Sequence, residues 1–228
     1  MRSFNRYFAL GLALAAFLDV SSAAFAMEPD QLFSMLSPSV MLVRTFDADG
    51  VILGRGSAVT VAPGKLLTNC HVLAKAKRFE VKQDNVTYAA KLEHVDIERD
   101  LCQISVKNFN APSVRIADSD HLRVGQKVYT LGNPQGLELT LGDGLVSALR
   151  KDESNRLIFI QTSAPISQGS SGGGLFDAEG RLIGITTLIL TSGQNLNFAI
   201  PINWLRDLPA RSKAALLKWE EEKSAKKK

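Results

Sequence analysis

The sequence predicts an all-β fold that ends in a helical segment. Between residues 38 and 203, short apolar runs are separated by clusters rich in Gly, Pro, Asn and Asp. Many short strands with turn residues between them are typical of an all-β sandwich or barrel. No stretch in this region has helical periodicity, which argues against a fold of alternating strands and helices.

The elements are predicted as follows in chain order. A short helix is expected at residues 30–36, and Ser37-Pro38-Ser39 ends it. In the first half, strands are predicted at residues 40–43, 51–53, 57–61, 65–68, 79–81, 87–92, 101–106 and 114–116. In the second half, they are predicted at residues 127–131, 139–141, 144–149, 157–161, 174–176, 182–190 and 197–200. From Asn203 onward the composition becomes helical, and Ser212 is a candidate N-cap.

The first 26 residues have the pattern of a secretory signal peptide. Arg2 and Arg6 form a basic start, residues 7–18 are apolar, and Ala24-Phe25-Ala26 fits a cleavage site. The apolar run is shorter than the ~20 residues of a transmembrane helix. We therefore predict cleavage after Ala26, a secreted or periplasmic protein, and no integral membrane span after cleavage. An uncleaved anchor is the alternative.

Composition and charge exclude some classes of function. The 228 residues are 45% hydrophobic and 22% charged, enough for a sizeable core in one large or two small domains. The formal net charge of +4 comes mainly from the tail at residues 209–228, so the body is close to neutral. This distribution argues against a nucleic-acid groove, which needs basic residues clustered on the folded body. The tail is interpreted as a solvated helix or as an arm for an acidic partner or anionic surface.

The segment at residues 168–174, QGSSGGG, contains a candidate nucleophile, Ser171, within Gly-x-Ser-Gly-Gly. A serine hydroxyl is a weak nucleophile unless an adjacent base takes its proton. The oxyanion that forms needs preorganised backbone N–H donors. Glycines allow the sharp turns that aim such donors, because they tolerate positive φ. A flexible Ser/Gly linker is the alternative for this segment taken alone.

A base and an orienting acid are available elsewhere in the chain. His71 directly follows a predicted strand, whereas His94 and His121 lie in polar surroundings and are interpreted as surface residues. Asp100 stands at the start of an alternating strand, which makes it a candidate to orient His71. Asp96 and Glu98 precede it in the loop and are expected to face water.

Seven motifs in order resemble those of the chymotrypsin-like serine proteases, most closely the bacterial Deg/HtrA branch. They are GRGS at 54–57, LTNCHV at 67–72, DLCQ at 100–103, GNPQG at 132–136, GLVSA at 144–148, GSSGG at 169–173 and FAIP at 198–201. The match covers most of residues 38–203. Seven motifs in the same order are far more specific than any one, so the linker interpretation is set aside.

The resemblance implies a trypsin-like serine protease domain at residues 27–208, followed by a basic helical tail at 209–228. It implies two six-stranded antiparallel β-barrels, at about 38–122 and 123–203, with the active site in the cleft between them. His71 and Asp100 would come from the first barrel and Ser171 from the second. The N–H groups of Gly169 and Ser171 would form the oxyanion hole. No metal or organic cofactor is implied.

Three features depart from the family pattern, one of which is the pair of cysteines, Cys70 and Cys102. Ser170 replaces the Asn of the Deg/HtrA loop and the Asp that, in trypsin-type enzymes, receives a new N-terminal amine. Ser170 has no carboxylate, so activation by such an N-terminal cleavage is not expected. Deg/HtrA proteins usually carry a PDZ domain after the protease, but only a short tail follows Pro201, so no PDZ domain is expected.

The two cysteines are predicted to form a disulfide. Cys70 directly precedes His71, and Cys102 lies two residues after Asp100. If His71 and Asp100 are hydrogen-bonded, the cysteines lie close together, as a disulfide requires. An even cysteine count in a secreted protein supports the pairing. Two buried thiols are the alternative.

The sequence also suggests a substrate class. Residues 162–166, before the nucleophile loop, contain no acid, which argues against a preference for Lys or Arg. Ile166 and Ala199 are predicted to form a modest apolar pocket. We predict a secreted serine endopeptidase that acts on proteins or peptides through an acyl-enzyme. The alternatives are a protease-fold binding or chaperone-like protein with little turnover and an esterase-like acyl hydrolase.

Overall fold

The computed structural model describes residues 27–137, 139–189 and 195–225. The predicted signal peptide therefore lies outside the described residues. Within these ranges the strands form two closed six-stranded antiparallel barrels, which confirms the predicted fold class. No helix among the described residues is long and apolar enough to cross a membrane.

The first barrel has the strand order β1-β2-β3-β6-β5-β4 and closes between β4 and β1. Its strands are β1 Val40–Phe46, β2 Ile52–Ala62, β3 Lys65–Thr68, β4 Arg78–Gln83, β5 Val86–Asp96 and β6 Leu101–Val106. Alternate residues of a strand point to opposite faces. One set therefore fills the barrel, including Met41, Val43, Leu66, Val81 and Ile104.

The second barrel repeats this arrangement in the order β10-β11-β12-β9-β8-β7. Its strands are β7 Lys127–Gly132, β8 Thr140–Lys151, β9 Leu157–Thr162, β10 Gly174–Asp177, β11 Leu182–Ile189 and β12 Asn197–Pro201. Another apolar cluster packs the two barrels against each other and includes residues of the N-terminal helix, Pro29–Leu36. It includes Leu32, Val59, Leu67, Leu131, Phe176 and Leu182.

Three α-helices accompany the barrels in the described part of the chain: α1 Pro29–Leu36, α2 Cys70–Leu73 and α3 Leu208–Ala225. Short 3-10 turns lie at Ser37–Ser39, Ser119–His121, Pro134–Gly136 and Ile202–Arg206. The single-turn helix α2 was not predicted, because four residues are too few to show a helical period.

Five predicted strands are corrected by the structure. The strands predicted at 51–53 and 57–61 merge into one strand, β2, which begins at Ile52, and those predicted at 139–141 and 144–149 merge into one strand, β8, which begins at Thr140. Pairing with the neighbouring strand keeps the backbone extended at the glycines that suggested a break between two strands. Residues 114–116 are not a strand. Val114 N–H bonds Thr60 O in the first barrel, and Leu182 N–H bonds Arg115 O, so this segment links the barrels.

The C-terminal helix begins earlier than the sequence indicated. It starts at Leu208, so Ser212 lies inside the helix, and its hydroxyl accepts the Val95 N–H at 3.0 Å. Arg211 binds both Asp96 and Glu98. The expectation that Asp96 faces water is therefore wrong, because its side chain is only 5% exposed. The hydrogen bond to Asp96 raises the pKa of Arg211 above its usual range.

Candidate active site

His71 and Asp100 are held together by two hydrogen bonds. The His71 backbone N–H donates to Asp100 Oδ1 at 2.9 Å, and His71 Nδ1 lies 2.7 Å from Asp100 Oδ2. The Asp100 carbonyl oxygen accepts from Asn69 Nδ2 at 3.0 Å and from the Cys70 N–H at 3.3 Å. These bonds place the start of α2 directly over Asp100. They use Nδ1 of the imidazole and leave Nε2 available.

Asp100 occupies an unusual backbone position. Its φ of +54° lies in the left-handed region, which Asp tolerates better than most residues. Burial raises the pKa of Asp100, but hydrogen bonds from His71 and Thr187 outweigh it and hold that pKa below the ordinary value of 3.8. The carboxylate is therefore ionised throughout the neutral range.

The predicted disulfide is present between Cys70 and Cys102, whose Cα atoms are 5.0 Å apart. Thr68 at the end of β3 pairs with Cys102 in β6, which brings the strand after Asp100 beside the segment leading to His71. The bond therefore joins the residue before His71 to the second residue after Asp100.

Thr187 is a site residue that the sequence reasoning missed. Its Oγ1 donates to Asp100 Oδ2 at 2.8 Å, and its backbone carbonyl accepts the Ser171 hydroxyl at 2.9 Å. Thr187 is buried and belongs to β11 in the second barrel. The available signal was the Thr186-Thr187 pair, which interrupts an otherwise apolar predicted strand.

Ser171 lies in the same cleft. Its carbonyl oxygen accepts the Ser57 N–H of β2 at 2.8 Å. A Cβ built on Gly56 would lie 2.6 Å from the Val72 side chain and 3.2 Å from the Ser171 carbonyl oxygen. The same point of β2 therefore contacts the helix that carries His71 and the loop that carries Ser171. Among the described residues, the Ser171 hydroxyl bonds Thr187 and makes no hydrogen bond to His71.

The backbone donors of the nucleophile loop fall into two groups. Three N–H groups are used inside the protein at 2.9 Å each: Ser170 to Ser167 O, Gly172 to Thr186 O and Gly173 to Ser170 O. Within the described part of the chain, the N–H groups of Gln168, Gly169 and Ser171 have no acceptor. Gly169 and Ser171 are the donors predicted for the oxyanion hole.

Neighbouring groups fix the orientation of Gly169. The Gln168 carbonyl accepts the Gln135 N–H at 2.6 Å, and the Gly169 carbonyl accepts the Ser57 hydroxyl at 3.0 Å. The peptide between Gln168 and Gly169 is trans, so the Gln168 C=O and the Gly169 N–H point in opposite directions. Because that carbonyl faces Gln135, the Gly169 N–H points away from Gln135. Gly169 has φ +92°, and a Cβ there would lie 2.6 Å from Gln135 N, so glycine is required.

Ser57 is the second site residue that the sequence reasoning missed. Its hydroxyl is fully buried, donates to Gly169 O and accepts the Asn133 N–H at 2.8 Å. The available signals were its place at the end of the GRGS motif at 54–57 and its polarity within a predicted strand.

Ser170 is held by hydrogen bonds, whereas trypsin-type enzymes have at this position an Asp that pairs with a new N-terminal amine. Its carbonyl oxygen accepts the Thr186 hydroxyl at 2.7 Å, and its own hydroxyl accepts the Ser167 N–H at 3.4 Å. Internal hydrogen bonds, rather than a carboxylate and an amine, hold this part of the loop.

The predicted pocket residues lie deeper than the cleft surface. Ala199 is fully buried in the core of the second barrel, and Ile166 is 7% exposed. Their role in a substrate pocket stays a prediction. The described residues include no cluster of three or more His, Cys, Asp or Glu side chains that could hold a metal ion.

Comparison with known proteins identifies the family. A family model described as a trypsin-like peptidase domain matches residues 56–185. This chain belongs to that family. The trypsin-like domain is 40% identical over 164 residues to the periplasmic pH-dependent serine endoprotease DegQ of Escherichia coli. That alignment covers 68% of this chain and 36% of DegQ. A probable serine protease do-like from Buchnera aphidicola is 41% identical, over 70% of this chain and 35% of that protein.

Similarity to solved structures supports the same family assignment. An HtrA-type protease, AlgW with a tripeptide, superposes with a TM-score of 0.72 at 34% identity, covering 80% of this chain and 64% of that one. A serine endoprotease from Yersinia pestis gives 0.70 at 30% identity, covering 81% and 67%. The resemblance to the Deg/HtrA branch is confirmed. This chain spans little more than a third of the length of the curated relatives it matches.

Proposed function

We propose that this trypsin-like domain is a serine endopeptidase that uses His71, Asp100 and Ser171, with the N–H groups of Gly169 and Ser171 as its oxyanion hole. One observation carries the proposal: among the described residues these two N–H groups have no acceptor, and hydrogen bonds to Gln135 and Ser57 hold the peptide groups on either side of Gly169. Preorganised donors of this kind stabilise the developing oxyanion, and losing one costs about 10²–10³ in rate.

Each residue has a defined role in the proposed reaction. Asp100 accepts the Nδ1–H of His71, which leaves Nε2 as the base. The Ser171 hydroxyl turns from Thr187 toward His71, gives up its proton and attacks the substrate carbonyl. His71 then donates that proton to the leaving amine, which breaks the peptide bond. Water, activated by the same histidine, hydrolyses the acyl-enzyme and restores Ser171.

The proposed substrates are proteins or peptides, and the proposed location is the periplasm or the exterior, after cleavage at Ala26. The names of similar proteins support both, since DegQ is described as a periplasmic serine endoprotease. The Cys70–Cys102 disulfide fits an oxidising compartment. An acidic partner for the basic tail stays a prediction. In the described part of α3, Arg211 binds the chain's own Asp96 and Glu98 instead.

A fluorophosphonate probe and a labelled, unfolded protein substrate test the proposal. The wild-type chain is expected to react with the probe and to hydrolyse the substrate. Ser171→Ala should lose labelling and lower kcat by on the order of 10⁶. Ser147→Ala, at an exposed position in β8, is the matched control and should behave as wild type.

Three outcomes would contradict the proposal. Unchanged hydrolysis by Ser171→Ala would show that another residue is the nucleophile. Absence of labelling in folded wild-type protein would favour the binding or chaperone-like function. Hydrolysis of simple esters without cleavage of polypeptides would favour an acyl hydrolase.

A further inference from the structure

A free strand edge of the first barrel faces the proposed site. The Ser57 N–H points away from β1 and bonds Ser171 O. Backbone groups alternate in direction along an antiparallel strand, so the N–H and C=O of Arg55 point the same way as those of Ser57. Strand β3 pairs with β2 only from Val59 onward. Among the described residues, no strand pairs with this edge at Arg55.

A cavity of about 500 Å³ lies beside this edge. Its walls are Ile52, Leu53, Gly54, Arg55, Gln135, Gln168 and Gly169. Because Gly169 supplies one of the proposed oxyanion donors, the cavity begins at the reacting centre. An extended peptide could pair with the edge of β2 there, as peptides do when they add a strand to a sheet.

The proposed roles of the site residues place this cavity on the side of the leaving group. Ser171 is bonded to Thr187 on one side and to Ser57 on the other. The pocket predicted for the acyl half of the substrate, at Ile166 and Ala199, belongs to the second barrel, as does Thr187. The half of the substrate that follows the scissile bond therefore lies beside β2 in this arrangement.

Arg55 brings an unneutralised charge to this cavity. Its side chain is exposed and makes no salt bridge or side-chain hydrogen bond within the described residues. Its stem lies against Gly136, where an added Cβ would come within 2.4 Å of Arg55 Cδ. The Arg55 Nε and Nη1 atoms would lie 3.1 Å from the same added Cβ, so the side chain packs on Gly136 while Arg55 lines the cavity. A guanidinium is a planar fork that matches a carboxylate.

We infer that Arg55 selects substrates with a carboxylate in the segment that leaves, while that segment adds to the edge of β2. The carboxylate could be an Asp or Glu side chain or the C-terminal carboxylate of a short substrate. This inference rests on the proposed function, since it assigns the specificity of the same site.

Peptides with one constant acyl half test the inference. One series places Glu at the first, second or third position after the scissile bond, and a matched series has Gln there. A third pair has only Gln and ends in a free carboxylate or an amide, which separates the two sources of charge. For the full chain, the preferred Glu or free-carboxylate peptide should have a kcat/KM about fivefold above its neutral partner, near the upper end for an exposed ion pair.

Arg55→Gln should abolish that preference while its fluorophosphonate labelling stays at the wild-type rate. Arg123→Gln makes the same change at an exposed arginine outside the cavity lining and should keep the preference. Equal rates for charged and neutral peptides in the wild type, or a preference that survives Arg55→Gln, would overturn the inference.

Equilibrium binding separates this inference from the proposed function. Fluorescent versions of the same peptides are titrated onto Ser171→Ala, with and without Arg55→Gln. Tighter binding of the charged peptides that depends on Arg55 would support the inference without turnover, and equal affinities would refute it. Absence of probe labelling in the wild type counts against the proposed function alone.

Discussion

Thr187 in the second barrel donates a 2.8 Å hydrogen bond to Asp100 in the first barrel. Since the Thr187 carbonyl also accepts the Ser171 hydroxyl, one residue contacts both the proposed acid and the proposed nucleophile. The relative position of the barrels therefore bears directly on the geometry of the site.

Replacement of Thr187 should weaken catalysis without removing any group that reacts. Thr187→Val keeps the shape of the side chain but loses the donor to Asp100. We expect kcat/KM to fall about tenfold, as for loss of a hydrogen bond to a charged group. The pKa of Asp100 should rise, because this bond lowers it. Steady-state kinetics and NMR titration of the carboxyl group measure the two effects. Thr187→Ser should retain most of both; an equal loss in the serine variant would argue against the hydrogen bond.

The buried Ser57 hydroxyl should matter both for stability and for rate. Ser57→Ala leaves the Gly169 carbonyl and the Asn133 N–H without their partner. We expect the free energy of unfolding to fall by about 1–3 kcal/mol. Because Gly169 is a proposed oxyanion donor, kcat should fall by about tenfold or more while KM changes little. Urea unfolding and peptide kinetics measure these changes.

Thr60 provides the matched control for Ser57. It lies in the same strand, and its buried hydroxyl has no hydrogen-bond partner among the described residues. Thr60→Val should therefore leave stability unchanged or increase it, with kcat unchanged. A loss in Thr60→Val as large as that in Ser57→Ala would show that β2 tolerates no substitution, and the hydroxyl of Ser57 would lose its special role.

Loss of the disulfide should destabilise the fold. The bond joins residues separated by 32 positions. Closing a loop of that size is expected to stabilise the folded state by about 3–4 kcal/mol. The double variant Cys70→Ala/Cys102→Ala should therefore unfold at lower urea concentration. Dithiothreitol should shift wild-type protein to the same midpoint and leave the double variant unaffected; an unchanged midpoint for reduced wild type would contradict this.

Asp118 should make stability depend on pH under acidic conditions. Hydrogen bonds from Asn203 and the Asp120 N–H lower the pKa of Asp118 to about 2. A depressed pKa in the folded state means that the stabilisation is present above the unfolded pKa of ~3.9 and is lost as the pH falls toward 2. Urea unfolding between pH 5 and pH 2 should therefore show a smaller pH dependence for Asp118→Asn than for wild type. Identical slopes would show that Asp118 contributes nothing.

The residues that sequence reasoning located lie inside short, contiguous patterns. His71 follows a strand within one motif, Asp100 starts another, and Ser171 lies between glycines whose backbone freedom the chemistry requires. The Cys70–Cys102 pair followed from its position beside His71 and Asp100. Strand merging at β2 and β8 was missed, because glycine suggests a turn unless a partner strand holds the backbone.

The partners of those residues were missed because they are distant in the sequence. Thr187 is 87 positions from Asp100, and Ser57 is 112 positions from Gly169. Asp96 was assigned to solvent because Arg211, 115 positions away, gives no local signal of its contact.

The sequence by itself determined an all-β chain and the order of His71, Asp100 and Ser171, because alternation, turn residues and loop chemistry are local properties of the chain. The family and its two barrels followed from the resemblance of seven short motifs, which are local as well. The tertiary structure decided which N–H groups of the nucleophile loop stay free and which hydroxyls support Asp100 and Gly169. Those choices depend on strand register and barrel closure, which bring together backbone groups that no local pattern relates.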